Sequence, residues 1–216
     1  MRPVSARIRL AIIQHIPLLA KQLGLEFFTD KLCSLCIGWL GDDIATIRQA
    51  SANNLKELTA VFGTDWACEH LVPSIQEISR HSSYLRRLTA VQACSKMATS
   101  MDPDIVRTEL LPILLQMSID VVSEESKECC RNKKSLIVFA SLTNPLRIPL
   151  FFPKVPNIRF NVAKELTVVA PICGPTVYEH QVSPVLSLLM EDPDRDVRFF
   201  AERTFKALKE QFVSSA

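Results

Sequence analysis

One pattern returns along the chain with a period near 39, and it limits what such a chain can become. In Ile47-Arg48-Gln49-Ala50-Ser51-Ala52-Asn53-Asn54-Leu55-Lys56-Glu57-Leu58 an aliphatic residue and an Arg precede a small residue and a Leu-x-x-aliphatic run. Ile8-Arg9-Leu10-Ala11, Leu85-Arg86-Arg87-Leu88-Thr89-Ala90, Ile158-Arg159-Phe160-Asn161-Val162-Ala163 and Val197-Arg198-Phe199-Phe200-Ala201 open in the same way. Taken at Arg9, Arg48, Arg86, Arg159 and Arg198, the successive spacings are 39, 38, 73 and 39 positions. A unit of this length with two helical patterns cannot bury its apolar face alone, so copies must stack as an all-α solenoid.

A second register agrees. Leu71-Val72-Pro73, Leu110-Leu111-Pro112 and Val182-Ser183-Pro184 place a proline at intervals of 39 and 72 positions. Both long intervals bracket 121–154 and exceed the period by about 33 positions, so a single insertion explains them. Its removal also restores an Asp six positions before each Arg, in the pairs Asp42 and Arg48, Asp120 and Arg159, and Asp192 and Arg198. An Arg can grip a carboxylate of the adjacent hairpin turn with two hydrogen bonds, so a ladder of Arg–Asp contacts is predicted between units. Arg80 takes the Asp place in the third unit, where the ladder should break.

The predicted units are a partial repeat over 1–24 and repeats over 25–63, 64–101, 102–120 joined to 155–174, and 175–216. First helices are predicted over 27–40, 69–78 and 106–117. Second helices are predicted over 7–23, from 47 to a Gly63 cap, and over 84–97. In the first of these, Ile8, Ala11, Ile12, Ile16, Leu19 and Leu23 recur at helical spacing, and the chain is expected to begin inside a repeat with one face uncovered. Leu35, Leu55, Leu58, Leu88, Leu114, Val162, Leu166, Leu186 and Ala201 are the expected core. The insert begins with the polar run Ser123 to Lys134 and continues as an apolar run broken by Pro145, Arg147 and Pro149, unlike a membrane span. Val122-Ser123 matches what a splice donor would encode and Leu150-Phe151-Phe152-Pro153-Lys154 what an acceptor tract would, so it reads as a translated intron or as a loop without regular order.

A formal charge of +2 gives no basis for a nucleic-acid or membrane partner. Seven Cys without a regular framework read as reduced thiols. Met1-Arg2-Pro3-Val4-Ser5 runs straight into a repeat, so the cytoplasm is the expected location and the nucleus a second one. Cys33-x-x-Cys36 lacks a second ligand pair and is expected to pack in the core. Cys68 and His70 lie two apart and point in different directions. Trp39 and Trp66 sit in apolar helical patterns and are expected between helices. No catalytic residue, cofactor or metal site is predicted.

Arg9-Leu10-Ala11-Ile12-Ile13-Gln14-His15-Ile16-Pro17-Leu18-Leu19-Ala20, the block from Ile158 to Leu166, and Asp192-Pro193-Asp194-Arg195-Asp196-Val197-Arg198-Phe199-Phe200-Ala201 together resemble the C-terminal HEAT repeats of the scaffold (A) regulatory subunit family of protein phosphatase 2A. The resemblance implies a HEAT-repeat, armadillo-like α-solenoid without enzymatic activity. It implies that the loops between the two helices of each repeat form a ridge for the phosphatase catalytic subunit, with regulatory B-type subunits engaged only indirectly. By position that ridge takes in Arg7 and Arg9, Ala45 and Thr46, Tyr84, Pro156 and Asn157, and Asp194 and Arg195. Ala6 and Ala45 stand where the family commonly places aromatics. The alternative is an importin-like transport adaptor whose inner concave helices carry a peptide, which would need an acidic or Asn- and Trp-lined groove that the sequence does not present.

Overall fold

The computed structural model describes residues 3–119 and 155–213. The readings of 121–154 as loop or translated intron, and the role of Asp120, lie outside the described residues. Within them every regular element is a helix. The chain forms two compact units that divide between Leu110 and Leu111.

The first unit holds α1 (Pro3–Leu23), α2 (Leu25–Lys31), α3 (Cys33–Gly38) with a tight turn at Trp39–Gly41, and α4 (Ala45–Phe62). It continues through α5 (Thr64–His70), α6 (Val72–Ser79), α7 (Tyr84–Ala98) and α8 (Pro103–Ile105), which widens into a π-helical turn at Val106–Leu110. The long helices α1, α4 and α7 pack side by side as the second-helix layer, while α6 packs on α7. The second unit holds α9 (Leu111–Ile119), α10 (Pro156–Cys173), α11 (Pro175–Val177) with a π turn at Tyr178–Val182, α12 (Ser183–Met190) and α13 (Arg195–Val213). There α10 packs between α9 and α13, and α12 packs on α13.

The first helices are bent, which the sequence pattern does not predict. Pro73 has no N–H for the carbonyl one turn back, and its helix bends just before it, at Leu71 with φ −100°. In the other two places the widened π turn ends shortly before Pro112 and Pro184, absorbing the same missing donor. The bend at Leu32, with φ −117°, has no proline behind it, and Leu32 N–H still reaches the Phe28 carbonyl at 2.9 Å.

The joint from each second helix to the next first helix needs an unusual backbone. Gly24, Gly63 and Gly174 occupy it with φ of 82°, 91° and 87°, a region open to glycine and costly for other residues. At the remaining joint the chain instead enters the helix through Asp102, whose Oδ1 accepts the Asp104 N–H at 2.9 Å as an N-cap.

The core follows the register. Leu55, Leu58, Leu114, Val162, Leu166, Leu186 and Ala201 are buried as expected. Leu88 is only half-buried, and Leu35 is 46% exposed because Cys33 and Cys36 take the inward face of the short α3. In α1 the buried stripe is Ile13, Ile16 and Ala20, whereas Ile8, Ile12, Leu19 and Leu23 are exposed. One repeat later Ile47, Ser51 and Leu58 are fully buried at the positions of Ile8, Ile12 and Leu19. The difference is neighbours: α4 is flanked by α1 and α7, whereas α1 packs on α4 alone in its layer of the described residues. Cys33, Cys36, Trp39 and Trp66 are buried packing residues, as expected. Burial pushes the Cys36 and Cys94 thiols up to about 12, with Cys33 adding to the effect at Cys36.

Candidate partner-binding ridge

Three turns inside the hairpins share one construction among the described residues. Asp42 Oδ1 accepts the Ile44 N–H at 2.9 Å, and Asp192 Oδ1 accepts the Asp194 N–H at 2.9 Å. In the third hairpin His81 Nδ1 accepts the Ser83 N–H at 3.0 Å in the same way. An Arg one turn into the second helix then reaches back to the turn carbonyls. Arg48 Nη1 donates to the carbonyls of Asp42 at 2.6 Å and Asp43 at 3.1 Å. Arg87 Nη1 does so to His81 at 3.0 Å and Ser82 at 2.9 Å, and Arg198 Nη1 to Asp192 at 2.6 Å and Pro193 at 2.8 Å.

The repeating Arg of the third hairpin is therefore Arg87, not Arg86, and the Asp place belongs to His81, not Arg80. With Arg87 the spacings become 39, 39, 72 and 39, so the long one exceeds the period by 33 positions. The doublet misleads because Leu85-Arg86 imitates the aliphatic–Arg start. Arg86 instead stands where the other hairpins have Ile47, Ile158 and Val197. It is exposed, with Nη1 3.2 Å from His81 Nε2 and its guanidinium so close to Gly41 that a Cβ there would lie 3.1 Å from Cζ.

Two rungs of the ladder are present among the described residues. Arg9 pairs with Asp42, Nε to Oδ2 at 3.1 Å and Nη2 to Oδ1 at 3.2 Å. Arg159 grips Asp192 with Nε–Oδ2 at 2.6 Å and Nη2–Oδ1 at 2.9 Å, the two side chains only 3% and 0% exposed. Each pair spans 33 positions, and the residue at that distance beyond Arg48 is His81, which offers no carboxylate. The ladder breaks in the predicted repeat, through a different residue.

These contacts set the places of the predicted ridge residues. In the first unit Ala45 and Thr46 open α4 and Tyr84 opens α7, all exposed, and Arg7 is exposed on α1. The Arg9–Asp42 pair and the Arg86 approach to Gly41 bring the starts of α1, α4 and α7 to one edge of that unit. Arg9 itself is committed to Asp42 and positions that edge. In the second unit Pro156 and Asn157 open α10, half-buried, and the Asn157 carbonyl and Oδ1 each accept from Asn161 Nδ2 at 2.7 Å. Asp194 caps α13, its Oδ1 accepting the N–H groups of Asp196 at 3.0 Å and Val197 at 3.2 Å, and the exposed Arg195 follows it.

Sequence reading misses an aromatic feature beside Arg195. Phe199, one turn along α13, is 56% exposed and meets Phe200 edge-on at 5.3 Å, while Phe200 stacks on Phe160 of α10 at 5.3 Å. The repeat pattern hides them, since neither falls on a core position. A second feature is an acidic cleft in the first-helix layer, which no single stretch of sequence presents. Glu26, Asp65 and Glu69 gather around Phe62 and Trp66 in a cleft of about 770 Å³, between first helices of the first unit. Its residues come from separated segments, which is why no local motif announces it.

No family model matches the chain. The regulatory A subunit of protein phosphatase PP2A from Saccharomyces cerevisiae is 30% identical over 163 residues, or 72% of this chain and 20% of that protein. Its counterpart of the same name from Schizosaccharomyces pombe is 36% identical over 106 residues, covering 49% of this chain and 12% of its own length. The beta isoform of the human 65 kDa regulatory A subunit of serine/threonine-protein phosphatase 2A is 43% identical over 54 residues, 25% of this chain and 9% of that protein. The chain thus spans a fifth or less of the length of these relatives. Its paired helices, its repeating Arg clamp and these similarities make it an all-α HEAT-repeat relative of the regulatory A subunits of protein phosphatase 2A.

Proposed function

We propose that the chain is a non-enzymatic scaffold segment that holds a protein phosphatase 2A catalytic subunit through the loops inside its repeats. The observation that carries this reading is the similarity to regulatory A subunits, combined with rigidly built turns that hold Tyr84 and Arg195 exposed at the starts of second helices. A docking edge of this kind contributes shape and a few anchoring side chains rather than chemistry, and exposed aromatic and Arg residues are frequent anchors. In this reading the repeats act as one array, B-type regulatory subunits associate only through the complex, and the protein works in the cytoplasm and nucleus. Co-purification of the full chain with the catalytic subunit tests it. Tyr84→Ala with Arg195→Glu is expected to reduce recovery at least tenfold while leaving helicity unchanged, and undiminished recovery would remove the ridge from the interface.

A further inference from the structure

The cleft at the opposite end of the hairpins from the ridge has no part in the phosphatase reading. Its walls are the short helices α2 and α5, and the last turn of α4 contributes Phe62. The floor is fixed: Trp66 Nε1 donates to Thr29 Oγ1 at 2.9 Å across the two helices, and Trp66 packs against Phe62 with ring centroids 4.7 Å apart. Phe28 backs this floor at 5.1 Å from Phe62, and His70 closes one end at 5.7 Å from Trp66. The floor cannot easily collapse, because its rings are packed in contact with one another.

Four carboxylates rim that floor, Glu26 and Asp30 from α2 and Asp65 and Glu69 from α5, all exposed. Two have basic neighbours: Lys31 meets Asp30 at 2.6 Å, itself 61% exposed, and His70 lies 3.8 Å from Glu69. Glu26 and Asp65 have no ion pair among the described contacts. The surplus is negative on a chain whose formal charge is +2, so the sign belongs to the place and not to the composition. An apolar floor with an anionic rim suits a long cationic side chain, whose methylenes lie on the rings while its head reaches the carboxylates. At about 770 Å³ the cleft has room for a peptide segment rather than a single ion.

We propose that this cleft is a docking site for a basic, Lys- or Arg-rich peptide segment of a partner protein. The site lies at the inter-repeat end of the hairpins, beside Gly24 and Gly63, while the ridge residues lie at the intra-repeat end. A partner held here leaves Tyr84 and its neighbours uncovered.

The test titrates the full chain with a short synthetic peptide of alternating Lys and Ala, by calorimetry and Trp fluorescence, with a Gln-for-Lys peptide and tetramethylammonium chloride as controls. Saturable 1:1 binding is expected, weakening as salt is raised because exposed charges are screened beyond roughly 10 Å. The double variant Glu26→Lys with Glu69→Lys changes exposed residues only and is expected to lose at least tenfold in affinity, whereas Tyr84→Ala with Arg195→Glu retains it. Retention of peptide binding by the Glu26/Glu69 variant would overturn the proposal. Equal binding of the Gln peptide would mark a merely apolar groove, and equal binding of tetramethylammonium a small-cation site, and either result overturns it. Catalytic-subunit recovery is expected to be unaffected by the Glu26/Glu69 change, so this site and the ridge fail or stand separately.

Discussion

At the scale of single residues, the burial of a charge pair decides what it is worth. Arg159–Asp192 is cut off from solvent and doubly hydrogen-bonded, so Asp192→Ala strands a buried guanidinium and is expected to cost about 3 kcal/mol. Arg9–Asp42 has side chains 15% and 11% exposed, and Asp42→Ala is expected to cost about 1 kcal/mol. Urea unfolding of both variants checks the order, and equal losses would contradict it. Thiols give a second residue-level expectation. Cys36 and Cys94 stay protonated in the folded chain well above the ordinary thiol value of 9.0. An unfolded chain releases those protons first, so this contribution is complete below about pH 9 and is lost as the pH rises toward about 12. Iodoacetamide mapping of the folded protein should label half-buried Cys68 before Cys36 and Cys94, and urea midpoints should fall over that pH window. The single-residue facts least visible in sequence are the roles of Arg86, Arg87 and His81. Adjacent arginines are chemically alike, and only hydrogen bonds to the His81 and Ser82 carbonyls tell them apart.

At the scale of elements, glycine has two opposite meanings in one repeat. Gly63 ends α4 with φ 91° and ψ 171°, and a Cβ there would meet nothing within 4 Å, so Gly63→Ala is a test of backbone strain alone. Such a conformation is nearly restricted to glycine, and the variant is expected to lose about 1–3 kcal/mol. Gly38 lies in α3 with φ −56° and open space at its Cβ, so Gly38→Ala is expected to gain up to about 1 kcal/mol. Thermal melts that moved the same way for both would refute this account. Element existence was legible because apolar spacing, Gly63 and the periodic prolines are local signals. Element shape was less so. Proline marks the bends before Pro73, Pro112 and Pro184, but the bend at Leu32 has no such signal and the pattern there reads as one continuous rod.

At the scale of the whole chain, two compact units and an insert outside the described residues make scaffold integrity the property to measure. The segment 121–153 lies in sequence between α9 and α10, so its deletion is expected to raise co-purification of the catalytic subunit, and lower recovery would mean that the segment takes part in docking. The period near 39, the all-α class and the recurring turns follow from residue order, because each is a local regularity written several times over. Packing alone settled which apolar stripe of α1 is covered, which arginine clamps each turn and where carboxylates gather around Trp66. Those outcomes depend on how one helix is rotated against another far along the chain, as in Arg9–Asp42 and Trp66–Thr29, and a one-residue shift turns a helix face by about 100°.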